Sequence, residues 1–168
     1  MTVTVALASR SQEPLLQHLF QLYTHDFSDF WADTDRGDLL PDGRFAAYPL
    51  DEYWTEPAWS ASLIWRDDVL AGFALLNDRT HTAVAVDHNV AEFFVLRKYR
   101  GRGVGRQAAA MIFSQYPGTW EVAVARKNVQ ARSFWRGVIH GAAQAANVNE
   151  IDLNDEHWNG PVLRFEWR

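Results

Sequence analysis

The chain has 168 residues, 48% hydrophobic and 22% charged, with a formal net charge of −5 at pH 7, which is typical of one globular domain spanning residues 1–168. The absence of cysteine excludes disulfides, thiolate nucleophiles and cysteine-ligated zinc. The first apolar run is too short for a signal peptide, and the longest, residues 69–76, is too short for a membrane span. We therefore expect a cytoplasmic protein with no membrane partner.

The first half of the chain begins with alternating residues that predict a strand over 2–8. Residues 12–27 predict a helix, with Pro14 in its first turn and an apolar face formed by Leu15, Leu19, Leu22 and Phe27. Residues 28–59 show no clean period and predict a long loop that can include a short helix. Its many aromatic residues argue against disorder.

Residues 60–77 predict two strands joined by a tight turn at Asp67 and Asp68. Residues 82–87 either extend the second strand or form a short separate piece. An apolar strand follows at 90–96, and strict alternation would place Glu92, Phe94 and Leu96 on one face and Ala91, Phe93 and Val95 on the other.

The second half continues with a glycine-rich stretch and then alternates helix and strand. We predict a helix over 104–116, a strand over 119–125, a helix over 128–139 and a final strand over 162–167. The order predicts a mixed α/β domain in which the central strand–loop–helix–strand–helix unit is flanked by antiparallel strands.

Charge is distributed unevenly along the chain. Residues 26–59 contain nine acidic and two basic residues, whereas residues 97–106 contain five basic residues and no acidic one. The first stretch suits a cation and the second an anion. A single short basic patch in an acidic protein argues against a nucleic-acid partner.

The basic stretch also places three alternate glycines between a predicted strand and a predicted helix. Glycine lets the backbone approach a ligand closely, and N–H groups at a helix N-terminus attract phosphate. A charged, solvated turn is the alternative interpretation. The spacing lacks the Lys-Ser/Thr pair of a P-loop, and Arg106 and Ala108 occupy the positions where the dinucleotide-binding pattern GxGxxG needs its last glycine.

The segment "RGRGVG" (100–105) resembles the Arg/Gln-x-x-Gly-x-Gly/Ala signature of the GNAT superfamily of acyl-CoA-dependent N-acyltransferases. The segment "NVQARSFW" (128–135) resembles the next block of that superfamily. The strong resemblance covers residues 69–140, which would form the acyl-CoA-binding core. It implies a GNAT-like fold: a mixed, mostly antiparallel sheet of six or seven strands, splayed in the middle and flanked by helices.

The resemblance also implies a coenzyme A site. The signature would hold the pyrophosphate with the backbone of Arg100, Gly101, Arg102, Gly103, Val104, Gly105 and Arg106. The pantetheine arm would enter beside Val95, Leu96 and Arg97, with a backbone N–H near Leu96 stabilising the oxyanion. Asn128 would bond the arm or cap the following helix.

Trp135 is assigned to the same site, but many members of the superfamily carry a tyrosine there that protonates the leaving thiolate. Tryptophan has no proton that titrates near pH 7. Tyr53 and Tyr99 are candidate replacements, and the thiolate can also leave as an anion. The incoming amine must be neutral, and Glu92 is the candidate base because burial inside an apolar strand raises a carboxyl pKa. A carboxylate paired with an arginine is the alternative role for Glu92, and His88 is the reserve base.

The acceptor is predicted to bind the segment 26–59, where Glu52, Tyr53 and Trp54 place a carboxylate beside aromatic rings, although a solvated acidic loop is the other interpretation. The sequence thus predicts an N-acetyltransferase that moves acetyl from acetyl-CoA to a primary amine of a small molecule or peptide. The alternative is a non-catalytic acyl-CoA sensor. The histidines show no metal-ligand spacing, so we expect no metal, and we expect a monomer or homodimer.

Overall fold

A computed structural model describes all 168 residues and contains one continuous sheet of seven strands. The strands are β1 (Val3–Leu7), β2 (Ser60–Arg66), β3 (Val69–Asn77), β4 (His88–Val95), β5 (Gly118–Ala123), β6 (Ala145–Asn154) and β7 (Asn159–Trp167). The helices are α1 (Glu13–Ser28), α2 (Glu52–Thr55), α3 (Val104–Gln115) and α4 (Val129–Ile139). No helix combines the length and apolar character needed to cross a membrane.

The strand order is β1-β2-β3-β4-β5-β7-β6, and every neighbouring pair is antiparallel except β4 and β5. The predicted mixed, mostly antiparallel sheet is therefore confirmed. The hairpin between β2 and β3 turns at Asp67 and Asp68, whose φ angles of 47° and 63° are those of a type I′ turn. Its twist matches the right-handed twist of the strands it joins.

Helices cover both faces of the sheet. On one face, α1 packs Leu16, Phe20 and Tyr23 against strand residues such as Phe73 and Leu75. On the other face, Ile112 and Phe113 of α3 and Trp135 of α4 pack against strand residues such as Trp120 and Leu163. Successive residues of β3 belong to opposite cores because side chains alternate along a strand.

The buried face of α1 differs from the predicted one. Leu16, Leu19, Phe20 and Tyr23 are buried, while Leu22 is 49% exposed. The helix is rotated about its axis relative to the predicted orientation. The rings of Phe20 and Tyr23, each larger than a leucine side chain, fill the space above β3 and set this rotation.

Two further differences concern strands. Residues 82–87 form neither an extension of β3 nor a separate strand; they form a loop between β3 and β4. Strand β6 was not predicted, because it is a sheet edge in which exposed residues interrupt any apolar alternation. A shift in the register with β7, between Ala146 and Asn149, interrupts the pattern further.

Strand β4 contains a bulge that changes which way its side chains point. Leu75 pairs with Glu92 and Leu76 pairs with Val90, so Ala91 has no partner on β3. Ala91 consequently packs on the same side as Phe94 and Leu96, and the strict alternation expected for Ala91 is wrong.

Candidate functional site

The parallel strands β4 and β5 separate near their beginning. They pair only at His88 with Trp120 and at Asn89 with Glu121. Beyond that point the rest of β4 has no partner on β5. A cavity of about 1130 Å³ occupies the opening and extends to the glycine-rich loop.

The glycine-rich loop forms one end of this cavity. Gly101 and Gly103 have φ angles of 68° and 83°, in the left-handed region that favours glycine. Gly103 is the N-cap of α3 and supplies no side-chain bond, so the first N–H groups of the helix keep their capacity to bind an anion. A Cβ at Gly105 would lie 3.2 Å from the ring of Phe134, which shows how closely α3 approaches α4.

Several basic residues of the loop line the cavity and also bond other residues of the chain. Arg97 Nε donates to Asp26 Oδ1 at 2.7 Å, and Arg100 also forms an ion pair with Asp26. Arg100 Nε donates to the carbonyl of Val95 at 2.6 Å, on the part of β4 that does not pair with β5. Arg106 donates to the carbonyl of Gly137 at 2.7 Å. Asp26 of the acidic stretch thus neutralises part of the charge of the basic stretch.

Most of the predicted coenzyme A residues line the cavity: Val95, Arg97, Arg100, Gly101, Gly103, Gly105, Arg106, Asn128 and Trp135. Three others, Leu96, Arg102 and Val104, do not. Val104, the first residue of α3, is buried in the core. The N–H of Leu96 donates to the carbonyl of Ala71 at 2.9 Å, so it is not free to stabilise an oxyanion as expected.

Asn128 lines the cavity and caps a helix as well. Its side-chain oxygen accepts from the N–H of Ala131 at 3.0 Å, so the predicted N-cap of α4 is present. Its amide nitrogen makes no bond within the chain. The two roles predicted for Asn128 are compatible.

Five aromatic residues that were not named as site residues form much of the cavity wall, and the first two belong to the predicted acceptor-binding segment 26–59. They are Phe27, Phe30, Phe93, Phe94 and Phe134. Phe27 comes from the last turn of α1, four residues after Tyr23. This spacing places the two rings on the same face of the helix, and it was the signal in the sequence that could have indicated Phe27. Across the opening, Lys127 Nζ donates to the carbonyl of Phe30 at 3.3 Å.

Glu92 lies on β4 next to this cavity but does not line it. Its carboxylate accepts hydrogen bonds from the hydroxyls of Tyr23 and Tyr48, the latter at 3.1 Å. Burial raises the pKa of Glu92, while the two tyrosine hydrogen bonds act to lower it. No arginine forms an ion pair with Glu92, so the alternative role as an arginine partner is wrong.

His88 and Tyr53 lie at a second, smaller cavity of about 340 Å³, beyond the ends of β1 and β3. Burial lowers the pKa of His88. Tyr99, a candidate acid, is buried in the core beneath α3 and lines neither cavity.

The structure does not bring the three predicted acceptor residues into the large cavity. Trp54 Nε1 donates to Glu13 at 2.9 Å, and Glu52 forms an ion pair with Arg79 at 3.3 Å. Of the three, Tyr53 lines the smaller cavity.

Comparisons with known proteins agree with this geometry. The sequence model of the acetyltransferase (GNAT) family matches residues 16–138, well over half of the chain. Comparison with curated proteins gave no match.

Solved structures share the whole fold at low sequence identity. An acetyltransferase from Thermus thermophilus is 16% identical with a TM-score of 0.64, covering 98% of this chain and 96% of its own. A GNAT acetyltransferase from Staphylococcus aureus is 11% identical with a TM-score of 0.62, covering 99% and 100%. Arabidopsis thaliana Naa50, in complex with the bisubstrate analogue CoA-Ac-MVNAL, is 16% identical with a TM-score of 0.57, covering 98% of both chains. With the matched sequence, the divided β4–β5 pair and the glycine loop at the start of α3, the chain belongs to the acetyltransferase (GNAT) family.

Proposed function

We propose that this protein transfers an acetyl group from acetyl-CoA to a primary amine of a small molecule or peptide, by direct attack of the amine within a ternary complex. One observation carries the proposal: a single cavity joins the free N–H groups at the start of α3 to the gap between β4 and β5. A diphosphate suits the first end, and a narrow arm bearing amides suits the second.

The residues present fit coenzyme A. The left-handed backbone at Gly101 and Gly103 leaves room for a diphosphate, since a Cβ at Gly101 would meet nothing within 4 Å. Arg102 does not line the cavity, but it lies in the loop between two glycines that do and forms no ion pair within the chain, which leaves its charge available to the phosphates. At the other end, the pantetheine amides would compete with Arg100 for the carbonyl of Val95.

Proton transfer is assigned to Glu92, which would accept a proton from the incoming amine directly or through water. The chain has no cysteine, so a cysteine-bound acyl intermediate is excluded. Trp135 lines the cavity and offers no titratable proton. The thiolate would therefore leave as an anion, which is feasible because a thiol pKa near 8.5 is close to neutrality.

The acceptor class is an amine that carries positive charge before it reacts. Asp29 lines the cavity beside Phe27 and Phe30 and forms no ion pair within the chain. A carboxylate next to aromatic rings attracts an ammonium group. The bisubstrate analogue bound to Arabidopsis Naa50 carries a peptide, which supports peptide amines as one acceptor class to test.

The test is release of free coenzyme A thiol from acetyl-CoA in the presence of polyamines, aminoglycosides or peptides with free N-termini. We expect release that depends on one class of amine. Glu92→Gln should lower the turnover rate by about 100-fold or more while calorimetry finds unchanged coenzyme A binding. Equal loss of turnover and binding would reject Glu92 as the base, and absence of any heat with acetyl-CoA would reject the function.

A non-catalytic acyl-CoA sensor is the second candidate, and Trp135 is the observation that favours it. This residue occupies the position from which many relatives are expected to protonate the thiolate. Binding of acetyl-CoA without turnover on any amine would support the sensor over the enzyme.

A further inference from the structure

The carboxylate of Glu92 is held by two phenols that come from different parts of the chain. Tyr23 of α1 donates to Oε2, and Tyr48 of the segment between α1 and α2 donates to Oε1 at 3.1 Å. We infer that Tyr23 and Tyr48 are positioning residues that orient the Glu92 carboxylate for proton transfer. This inference rests on the proposed function.

Tyr48 is fixed in place by a clamp from α1. The side-chain nitrogen of Gln17 donates to the carbonyl of Tyr48 at 2.7 Å, and its side-chain oxygen accepts from the N–H of Tyr48 at 3.0 Å. One turn later, Gln21 makes the same two bonds to Phe45, at 3.2 and 2.8 Å. Two glutamines four residues apart therefore hold this segment along one side of α1. Each side-chain amide bonds both the N–H and the carbonyl of one residue, as the backbone of a neighbouring strand does.

The rings of both tyrosines are also packed. The ring of Tyr48 stacks on Phe20, with centroids 4.1 Å apart and planes 16° from parallel. The ring of Tyr23 stacks on Phe27 at 4.3 Å and 24°. Since the ring of each phenol is held before any substrate arrives, its hydroxyl bonds the carboxylate with little loss of conformational freedom.

Tyr23 connects this arrangement to the large cavity. It stacks on Phe27, and Phe27 lines the cavity that extends into the β4–β5 opening. One face of α1 thus carries Tyr23, which donates to the Glu92 carboxylate, and one turn later Phe27, which forms part of the cavity wall. The same helix orients the proposed base and forms part of the wall of the neighbouring cavity.

Few other charges act on Glu92. Arg36, from the segment that follows α1, is the only cation that affects its carboxyl group, and it favours the ionised form. Tyr53 of α2 is the remaining titratable neighbour, and the carboxylate opposes ionisation of its phenol. The residue of β3 that pairs with Glu92 is the apolar Leu75. The two phenol bonds are therefore the main support for a charged carboxylate in an apolar setting.

The test uses the whole protein with carbon-13 in the glutamate carboxyl groups. The variants are Tyr23→Phe and Tyr48→Phe, each of which removes one donor and keeps the ring. Glu92→Gln identifies the Glu92 signal. Tyr116→Phe is the matched control, because Tyr116 lines the smaller cavity and makes no bond to Glu92. One readout is the titration of the carboxyl signal, and the other is the pH dependence of kcat/KM with an amine that is acetylated.

Each phenol variant should raise the titration midpoint of Glu92 by about one pH unit, since a hydrogen bond to a charged group stabilises that form by roughly ten-fold or more. The acid limb of kcat/KM should move upward by the same amount, and Tyr116→Phe should change neither. An unmoved titration in both variants would overturn the inference. So would a moved titration with an unmoved limb, because the phenols would then hold a carboxylate that does not accept the proton.

Failure of the proposed function gives a different result. If the wild-type protein binds acetyl-CoA but acetylates no amine, the enzyme assignment and the catalytic meaning of Tyr23 and Tyr48 are both overturned. The carbon-13 titration, which needs no turnover, would still report whether the two phenols support the charged carboxylate.

Discussion

Glu121 lies at the point where β4 and β5 stop pairing, and its replacement by glutamine should cost much of the stability of the protein. The residue is 0% exposed. Burial would raise the pKa of Glu121, but hydrogen bonds from His81, Thr82 and Thr80 outweigh it and lower the pKa from 4.5 to about 2. Arg164 on β7 forms an ion pair with the same carboxylate.

The shift in pKa sets the size of the effect. Each pKa unit corresponds to about 1.4 kcal/mol, so the ionised carboxylate contributes about 3 kcal/mol to the free energy of unfolding at pH 7. Because the folded pKa is below the unfolded one, this contribution is complete above about pH 5 and is lost as pH falls toward 2. In Glu121→Gln, the new side-chain NH₂ group would also face one of the donors that now bond the carboxylate, which lowers the free energy of unfolding further.

The free energy of unfolding is measured by urea titration at pH 7 and pH 3, with tryptophan fluorescence as the signal. We expect Glu121→Gln to be less stable than the wild type by about 3 kcal/mol or more at pH 7. The difference should shrink by about 2 kcal/mol at pH 3. Glu156→Gln is the control, because the Glu156 side chain is 86% exposed, and its difference should not depend on pH. A difference for Glu121→Gln that is equal at the two pH values would refute the reasoning.

Three further predictions concern the glycine-rich loop, the contact between β3 and β4, and the ion pairs of Asp26. Gly103→Ala should weaken coenzyme A binding by about ten-fold in calorimetry, because alanine at a φ of 83° costs about 1–2 kcal/mol and the loop relieves this strain by leaving the backbone conformation that presents its N–H groups. Gly43→Ala, with a φ of 78° in open space, should lose similar stability but no affinity, and equal loss of affinity in both would contradict this. Gly72→Ala should lower the free energy of unfolding by more than about 3 kcal/mol in urea, since its Cβ would lie 1.9 Å from the carbonyl oxygen of Phe94; a near-neutral result would show that β3 and β4 can separate freely. Asp26→Asn should strengthen coenzyme A binding several-fold at low salt, because it releases Arg97 and Arg100, and weaker binding would mean that Asp26 positions the arginines for the phosphates.

The sequence was sufficient for the features that depend on neighbouring residues. The glycines between a strand and a helix required a loop that leaves N–H groups free, and this loop lies where we predicted. Asp67 and Asp68 required a two-residue turn for the same local reason. Glu92 was chosen as the candidate base because a carboxyl group within an apolar strand is unusual wherever it occurs.

Contacts between distant parts of the chain were not predictable from local patterns. The pairing of Asp26 with Arg97 and Arg100 joins residues more than 70 positions apart. Glu52 and Trp54 looked suited to an acceptor, but Arg79 and Glu13 bind them. Edge strand β6 lacked the apolar alternation that marks a strand with one buried face.

The sequence by itself determined the family, the glycine-rich loop before α3 and the absence of any cysteine intermediate, because each follows from residue type and short spacing. Only the tertiary structure decided which charges neutralise one another and which side chains reach the cavity. Those outcomes depend on the bulge at Ala91, on the rotation of α1 and on its docking beside Glu92. Side-chain packing sets all three, and packing energy is shared among residues far apart in the chain.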